Sequence, residues 1–342
     1  MQMQQFLLLY GEFGFMIVGL TYDLKSEYLA MGYDKEIVAE FDREDTIDGI
    51  EDALKILGKQ VVRIGNIKKL VKFLNDGQHL DYVFNICEGL YGFGREAQVP
   101  ALLEAYNIPY VFSDPLVLSL TLHKGLTKSI IRDAKLPTAD FCVVNDETEI
   151  ENIKLTYPLF AKPVAEGTSK GITPASKIES SQQLEKTIIA LLKKFEQPVL
   201  VEEYLPGREF TIGIIGAGKE AYSLGAMEVL LKAKADSDVY SFGNKENYEE
   251  VVEYKVSEDD LAQHSIELAL KVWKLLGCRD AGRVDIRVDK NGIPNFIEVN
   301  PLAGLNPTHS DLPILCRLKG ISFNELIKKI IYAAENRIFA KK

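Results

Sequence analysis

Cysteine and histidine are scarce in this sequence of 342 residues, with four of each, and neither is arranged for chemistry. Cys87, Cys142, Cys278 and Cys316 form no CxxC pair. Their spacing fits neither a zinc site nor a disulfide framework and points to a reducing compartment. The histidines show no HExxH or similar pairing and read as ordinary surface or core imidazoles. Positive charge is also in deficit: 40 Lys and Arg stand against 50 Asp and Glu, a formal net charge of −10. That balance argues against a nucleic-acid partner, which needs clustered cations, although a nucleotide site needs only a few. No Walker A spacing occurs. The most apolar stretch, residues 6–20, has no basic flank, is interrupted by Glu12 and falls short of the roughly 20 residues of a membrane span. We therefore expect no membrane partner and a cytoplasmic protein, with residues 1–15 an extension of unassigned use.

What is present is a folded composition, 46% apolar and 26% charged, in a chain long enough for two or three domains. Short apolar runs at 16–20, 60–64, 82–86 and 109–112 read as strands. Amphipathic stretches at 46–57, 67–75 and 97–106 read as helices between them, and Ile47, Ile50, Leu54 and Leu57 form one stripe. Such alternation favours a parallel sheet covered by helices. From about Leu118 the pattern changes. A helix at 124–134 precedes strands at 141–144, 157–162 and 199–204, with a helix at 181–194. Strands at 209–215, 282–288 and 295–300 and a long helix at 258–276 follow. We expect an α/β protein of three units: an N-terminal parallel-sheet domain (1–117), a small central α+β domain (118–208) and a C-terminal α+β domain (209–342). The polar stretch 232–247 is long enough to serve as a lid.

Three places carry candidate chemistry. The strands 282–288 and 295–300 are joined by a turn containing Asn291-Gly292 and read as a hairpin. Side chains alternate on a strand, so Arg283 and Asp285 share a face, as do Glu298 and Asn300. If the two faces coincide, oxygen ligands suited to Mg²⁺ and one guanidinium converge. A solvated face of paired charges is the alternative reading. The loop Glu166-Gly-Thr-Ser-Lys-Gly171 can aim N–H groups and hydroxyls at an anion, or be a plain turn. Lys162, Lys124 and the strand end at Glu202, Glu203 and Tyr204 are the remaining candidates.

Taken in order, His123-Lys124, Phe160-Ala-Lys-Pro163, Glu166–Gly171, Val199–Glu209, Gly282-Arg-Val-Asp285 and Glu298-Val-Asn300 resemble the D-alanine–D-alanine ligase branch of the ATP-grasp superfamily. The resemblance runs from about Cys87 to the C-terminus. It implies an ATP-dependent, ADP-forming carbon–nitrogen ligase that joins a carboxylate to an amine through an acylphosphate, with amino acids or similar small molecules as substrates and a homodimer as an allowed assembly. It implies that Lys124, Lys162 and the loop Gly167, Thr168 and Ser169 hold the ATP phosphates. Glu202, Glu203, Tyr204 and Leu205 line the adenine site and Glu209 holds the ribose. Asp285, Glu298 and Asn300 bind Mg²⁺ or Mn²⁺, and Arg283 and Ser169 act in catalysis. Lys245, in the expected lid, matches a phosphate-contacting lysine loosely.

The sequence also departs from that pattern. The family's Gly-Gly-x-Ser-x-Glu loop after the first strand is replaced by Gly19-Leu-Thr-Tyr-Asp-Leu-Lys25, with Asp23 as a candidate substitute for the glutamate. The expected lid has Tyr240-Ser-Phe-Gly-Asn-Lys245 in place of the usual Tyr-Asp-Tyr, and residues 303–310 differ after Asn300. These departures predict a substrate pair other than two D-alanines. An L-amino-acid or unusual peptide ligase of secondary metabolism and a non-catalytic ATP-binding scaffold are the competing readings. The intact Arg283, Asp285, Glu298 and Asn300 count against the scaffold.

Overall fold

The computed structural model describes residues 16–231 and 252–339. The chain opens with β1 (Ile17–Tyr22), α1 (Lys25–Ala30), α2 (Glu44–Ile56), β2 (Gln60–Arg63), α3 (Ile67–Asn75) and β3 (Tyr82–Ile86). The three strands form the expected parallel sheet, in the order β2-β1-β3. β3 is buried along its whole length, as a parallel strand covered on both faces must be. Ile47, Ile50 and Leu54 of α2 supply part of that cover.

After α4 (Gln98–Ala105), residues 109–112 make a single bridge, Val83 to Tyr110, and not the strand expected. The chain turns away there because Phe112 takes φ +78° and its N–H donates to the Asp280 carboxylate at 2.7 Å. α5 (Pro115–Leu122), capped by Asp114, and α6 (Lys124–Asp133), capped by His123, then lead out of the first sheet. Leu118 lies inside α5.

The second sheet is antiparallel, in the order β4-β7-β5-β6. It comprises β4 (Phe141–Val144), β5 (Leu159–Pro163), β6 (Lys177–Ile178) and β7 (Val199–Glu203). α7 (Ser181–Phe195) lays Leu184, Ile188 and Leu191 against it. The third sheet, also antiparallel, runs β10-β9-β8-β11-β12. Its strands are β8 (Glu209–Ile215), β9 (Tyr222–Leu231), β10 (Val252–Ser257), β11 (Ala281–Val288) and β12 (Pro294–Asn300). α8 (Asp260–Leu276), closed by Gly277 at φ +75° as expected, covers it with Leu268, Val272 and Trp273.

Beyond the hairpin come α9 (Asp311–Leu318) and α10 (Phe323–Phe339). These two helices, with α1, α5, β6, β9 and β10, are additions to the elements expected. Leu326, Ile327, Ile330 and Ile331 of α10 share one core with Val18 and Leu20 of β1 and Ile47 and Ile50 of α2. Burying four such side chains contributes roughly 6–12 kcal/mol, so the two ends of the chain stabilise each other. The expected lid, residues 232–247 with Lys245 and Tyr240, lies outside the described residues.

Candidate active site

The hairpin register settles the question that strand alternation left open. Asp285 stands opposite Glu298 and Arg283 opposite Asn300, and directly opposed residues point to the same face. Thr211, opposite Asp285 on β8, donates its hydroxyl to Asp285 Oδ1 at 2.9 Å. Asn300 Nδ2 donates to Asp285 Oδ2 at 3.4 Å, and the Arg283 guanidinium is bonded to the same oxygen. A further carboxylate, Asp311 at the start of α9, places Oδ2 3.7 Å from Arg283 Nε. Burial, reinforced by Glu298 and Asp311 and opposed by Arg283, pushes the Asp285 carboxyl up to about 6. That crowding of negative charge is what a divalent cation relieves.

Among the described residues no group of three or more His, Cys, Asp and Glu side chains could hold a metal by itself. The donor set fits Mg²⁺ in a more open way. Two carboxylates and an amide oxygen leave coordination positions for water and phosphate oxygens, which is how Mg²⁺ binds beside a nucleotide.

Lys124 approaches from the start of α6 and Lys162 from β5. Lys124 Nζ donates to the Glu166 carbonyl at 2.6 Å and lies 3.4 Å from Glu298 Oε2. The loop 166–171 is held in an unusual shape, with Thr168 and Ser169 at φ +50° and +57°. A clamp that the sequence did not reveal fixes it. Gly167 N–H donates to Glu40 Oε1 at 2.7 Å, while Lys170 and Arg95 lie 3.2 and 3.3 Å from Glu40 Oε2. A Cβ on Gly167 would lie 2.4 Å from that carboxylate, so only glycine permits this approach. Asp23, the candidate substitute for the family's glutamate, accepts from Tyr28 Oη at 2.6 Å and from Gly89 N–H at 2.9 Å, while Glu40 is the carboxylate of this unit that lines the main cavity beside the loop.

Lys162 and Glu202 were expected to touch different parts of a ligand. In this structure they pair with each other at 2.9 Å, and Lys128 holds the second Glu202 oxygen at 2.8 Å. Burial would raise Glu202, but Lys128 and Lys162 outweigh it and bring the carboxyl down to about 2. Burial would likewise lower Lys162, yet Glu202 and Glu298 hold it above its ordinary value. Glu209 pairs with Arg287 at 3.1 Å, and Arg287 also donates to Tyr204 Oη at 3.1 Å. Glu203 lines the same slot as Glu202 and also accepts from Thr156 N–H at 3.0 Å.

Two spaces meet at these residues. A slot of about 120 Å³ is lined by Lys162, Ser169, Glu202, Tyr204, Leu205 and Glu209, among others. A cavity of about 800 Å³ is lined by Lys124, Gly167, Asn300, Glu40 and the rewritten stretch at Ala303, Gly304, Asn306, His309 and Ser310. Thr168, Arg283, Glu298 and Asp311 line both. Of the residues missed, Lys128 and Arg287 carried a signal: Lys128 is one helical turn beyond Lys124, and Arg287 continues the Arg283-Asp285 alternation. Glu40 and Asp311 carried none.

A slot between two antiparallel sheets, with Lys162 and Glu202 entering from one and Glu209, Asp285 and Glu298 from the other, defines an ATP-grasp protein. A family model described as the D-alanine–D-alanine ligase C-terminus matches residues 130–332. The D-alanine–D-alanine ligase of Aquifex aeolicus is 33% identical over 284 residues, covering 82% of this chain and 92% of that protein. Among solved structures, D-alanine–D-alanine ligase from Bacillus anthracis superposes with a TM-score of 0.73 at 22% identity, over 96% of this chain and 100% of that one. It has also been solved complexed with ATP. VanG D-Ala:D-Ser ligase from Enterococcus faecalis gives 0.71 at 21% identity, over 94% and 100%. This chain belongs to the D-alanine–D-alanine ligase family, and with it to the ATP-dependent ligases that form a carbon–nitrogen bond.

Proposed function

We propose that the chain activates an amino-acid-like carboxylate with ATP and transfers the acyl group to an amine at the junction of slot and cavity. The observation that carries this reading is the shared lining, Thr168, Arg283, Glu298 and Asp311, through which a phosphoryl group in the slot can meet a carboxylate in the cavity. On this reading the nucleotide lies between the units 118–208 and 209–342, with the unit 1–117 closing the substrate cavity. Glu202 and the backbone near Leu205 read the adenine edge, Glu209 the ribose, and Lys124, Lys162 and the loop at Gly167, Thr168 and Ser169 the phosphates. Asp285, Glu298 and Asn300 hold Mg²⁺, which when bound neutralises phosphate charge and orients the phosphates. Arg283 is placed to stabilise the negative charge that develops when the carboxylate attacks and again when the amine attacks the acylphosphate. Exclusion of water from that intermediate favours aminolysis over hydrolysis.

The cavity favours substrates other than two D-alanines. Glu88 and Glu96 line it, and neither carboxyl has a hydrogen-bond or ion-pair partner among the described residues. Burial, reinforced by neighbouring carboxylates and opposed by Arg95 and, at Glu96, by Lys124, pushes Glu88 well above the usual range and Glu96 to about 7. A substrate carrying an ammonium group beyond the reacting amine would add to the countercharge that these cations supply only in part. The test is a screen of amino-acid pairs, basic ones included, for ATP-dependent ADP release, with products identified by mass spectrometry. ADP release with no pair would overturn the ligase reading. D-alanyl-D-alanine as the best product would overturn the substrate reading.

A further inference from the structure

Glu202 is held by two lysines, and only one of them lines the nucleotide slot. Lys162 lines it; Lys128, on the next turn of α6 after Lys124, is fully buried and does not. Lys128 Nζ donates to Thr138 Oγ1 at 2.6 Å and to the Phe296 carbonyl at 3.3 Å, and forms an ion pair with Glu202 Oε2 at 2.8 Å. Thr138 Oγ1 in turn donates to the same carbonyl at 3.0 Å, and the Phe141 ring centroid lies 5.6 Å from the ammonium. An ammonium held by two hydrogen bonds and an ion pair inside the protein is fixed in place, and a buried charge of this kind persists only when so paired. Lys162 is held less completely, 2.9 Å from Glu202 Oε1 at the wall of the slot. It is also the residue assigned to phosphate. A lysine that turns to a phosphate leaves Glu202, which then keeps a single countercharge.

We infer that Lys128 is a positioning residue for purine selection, which keeps Glu202 ionised and aimed into the slot once Lys162 engages the nucleotide. The inference rests on the assignment of Glu202 to the adenine edge. A fixed carboxylate accepts from the 6-amino group of adenine and repels the 6-oxo group of guanine, so the orientation of Glu202 becomes a preference between nucleotides. Lys128 supplies that orientation from behind without touching the ligand. Burial pulls the Lys128 ammonium down and Glu202 holds it up, so each charge depends on the other.

The experiment measures binding of MgADP and MgGDP by calorimetry, which needs no knowledge of the amino-acid substrates. For Lys128→Met we expect MgADP to bind roughly tenfold more weakly, with little change for MgGDP, so that the ADP preference shrinks by about the same factor. MgADP binding to the variant should also weaken as pH falls from about 8 to 6, because Glu202, with half its countercharge gone, takes up a proton at higher pH. The unaltered protein, in which Asp285 titrates as well, sets the baseline, and the fall for the variant should exceed it. Thr138→Val keeps both charges but removes one of the Lys128 acceptors, and should shrink the preference by roughly threefold. Unchanged preference and a pH profile parallel to that of the unaltered protein in folded Lys128→Met would overturn the inference. If that variant melts before it can be measured, unchanged preference in Thr138→Val would do so. Glu202→Gln separates the two levels. ADP preference unchanged in that variant removes the adenine assignment itself, whereas a loss there with none in either Lys128 or Thr138 variant removes only the role of Lys128.

Discussion

Replacing Asp285 by asparagine separates the catalytic demands of the site from its stability. The substitution preserves shape and one oxygen while removing the charge that Thr211, Asn300 and Arg283 surround. In the metal-free protein the Asp285 carboxyl is raised from its ordinary 3.8 to about 6, chiefly by burial. A raised value means that the native state binds the proton more tightly than the unfolded chain. The contribution to stability is therefore present below about pH 4 and is lost as pH rises through 6. The shift corresponds to a cost of roughly 3 kcal/mol for carrying the ionised group at neutral pH. Asparagine escapes that cost but leaves Arg283 with Asp311 as its nearer carboxylate partner, so the two effects oppose each other. We expect metal-free Asp285→Asn to melt within a few degrees of the unaltered protein at pH 7.5. As pH falls towards 5, the stability of the parent should rise relative to that of the variant. Mg²⁺ with nucleotide should stabilise the parent much more than the variant, and ADP release with the best substrate pair should fall at least 100-fold, because an anionic metal ligand is gone. Turnover within threefold of the parent in a Mg²⁺-dependent assay would refute the metal assignment. A collapse of the metal-free melting temperature would refute the electrostatic reasoning.

Other expectations follow from packing. A fragment beginning at Leu118 would expose the α10 residues Leu326, Ile327, Ile330 and Ile331 that pack on β1 and α2. It should lack near-ultraviolet circular dichroism and bind a hydrophobic dye, and a cooperative thermal transition in that fragment would contradict the shared core. Lys59→Met leaves Glu335 buried beside Tyr82 without its ion pair. It should lower stability by about 3–5 kcal/mol in denaturant titrations while leaving turnover per folded molecule unchanged. Gly282→Ala would place a Cβ 2.5 Å from the Asn300 carbonyl and 2.6 Å from the Trp273 ring. Because backbone and a buried indole must both move, we expect a loss of about 1–3 kcal/mol together with reduced turnover, and a stability equal to the parent's would show that the hairpin gives way freely.

Much of the fold was legible because local signals agreed with one another. Apolar runs of strand length separated by striped helices indicated the parallel sheet, and the boundaries of β3, β4 and β8 could be read from the sequence alone. The period-2 alternation around the Asn291-Gly292 turn was enough to put Arg283 and Asp285 on one face. The helix α10 was not legible as part of the first sheet's cover, because the surface it buries belongs to elements far earlier in the chain, while α9 packs on β8, β9 and β10 of the third sheet. Residues 109–112 looked like a strand because their composition is apolar. The Asp280 carboxylate, far along the chain, draws Phe112 out of the sheet.

For the site, the sequence by itself determined the donor types and their order: lysines on the central unit, carboxylates and an arginine on the hairpin, and a glycine-bearing loop between them. Only the tertiary structure decided which of these groups meet. The register of β11 against β12 and β8 brings Asp285, Glu298 and Thr211 together. The packing of residues around Glu40 on the loop at Gly167 brings that carboxylate to the site. The approach of α6 and β5 to β7 puts Lys128 and Lys162 on the two oxygens of Glu202. Spacing along a strand or helix is fixed by backbone geometry and can be read residue by residue. A contact between elements depends instead on how whole faces pack to exclude water, which no local stretch of sequence specifies alone.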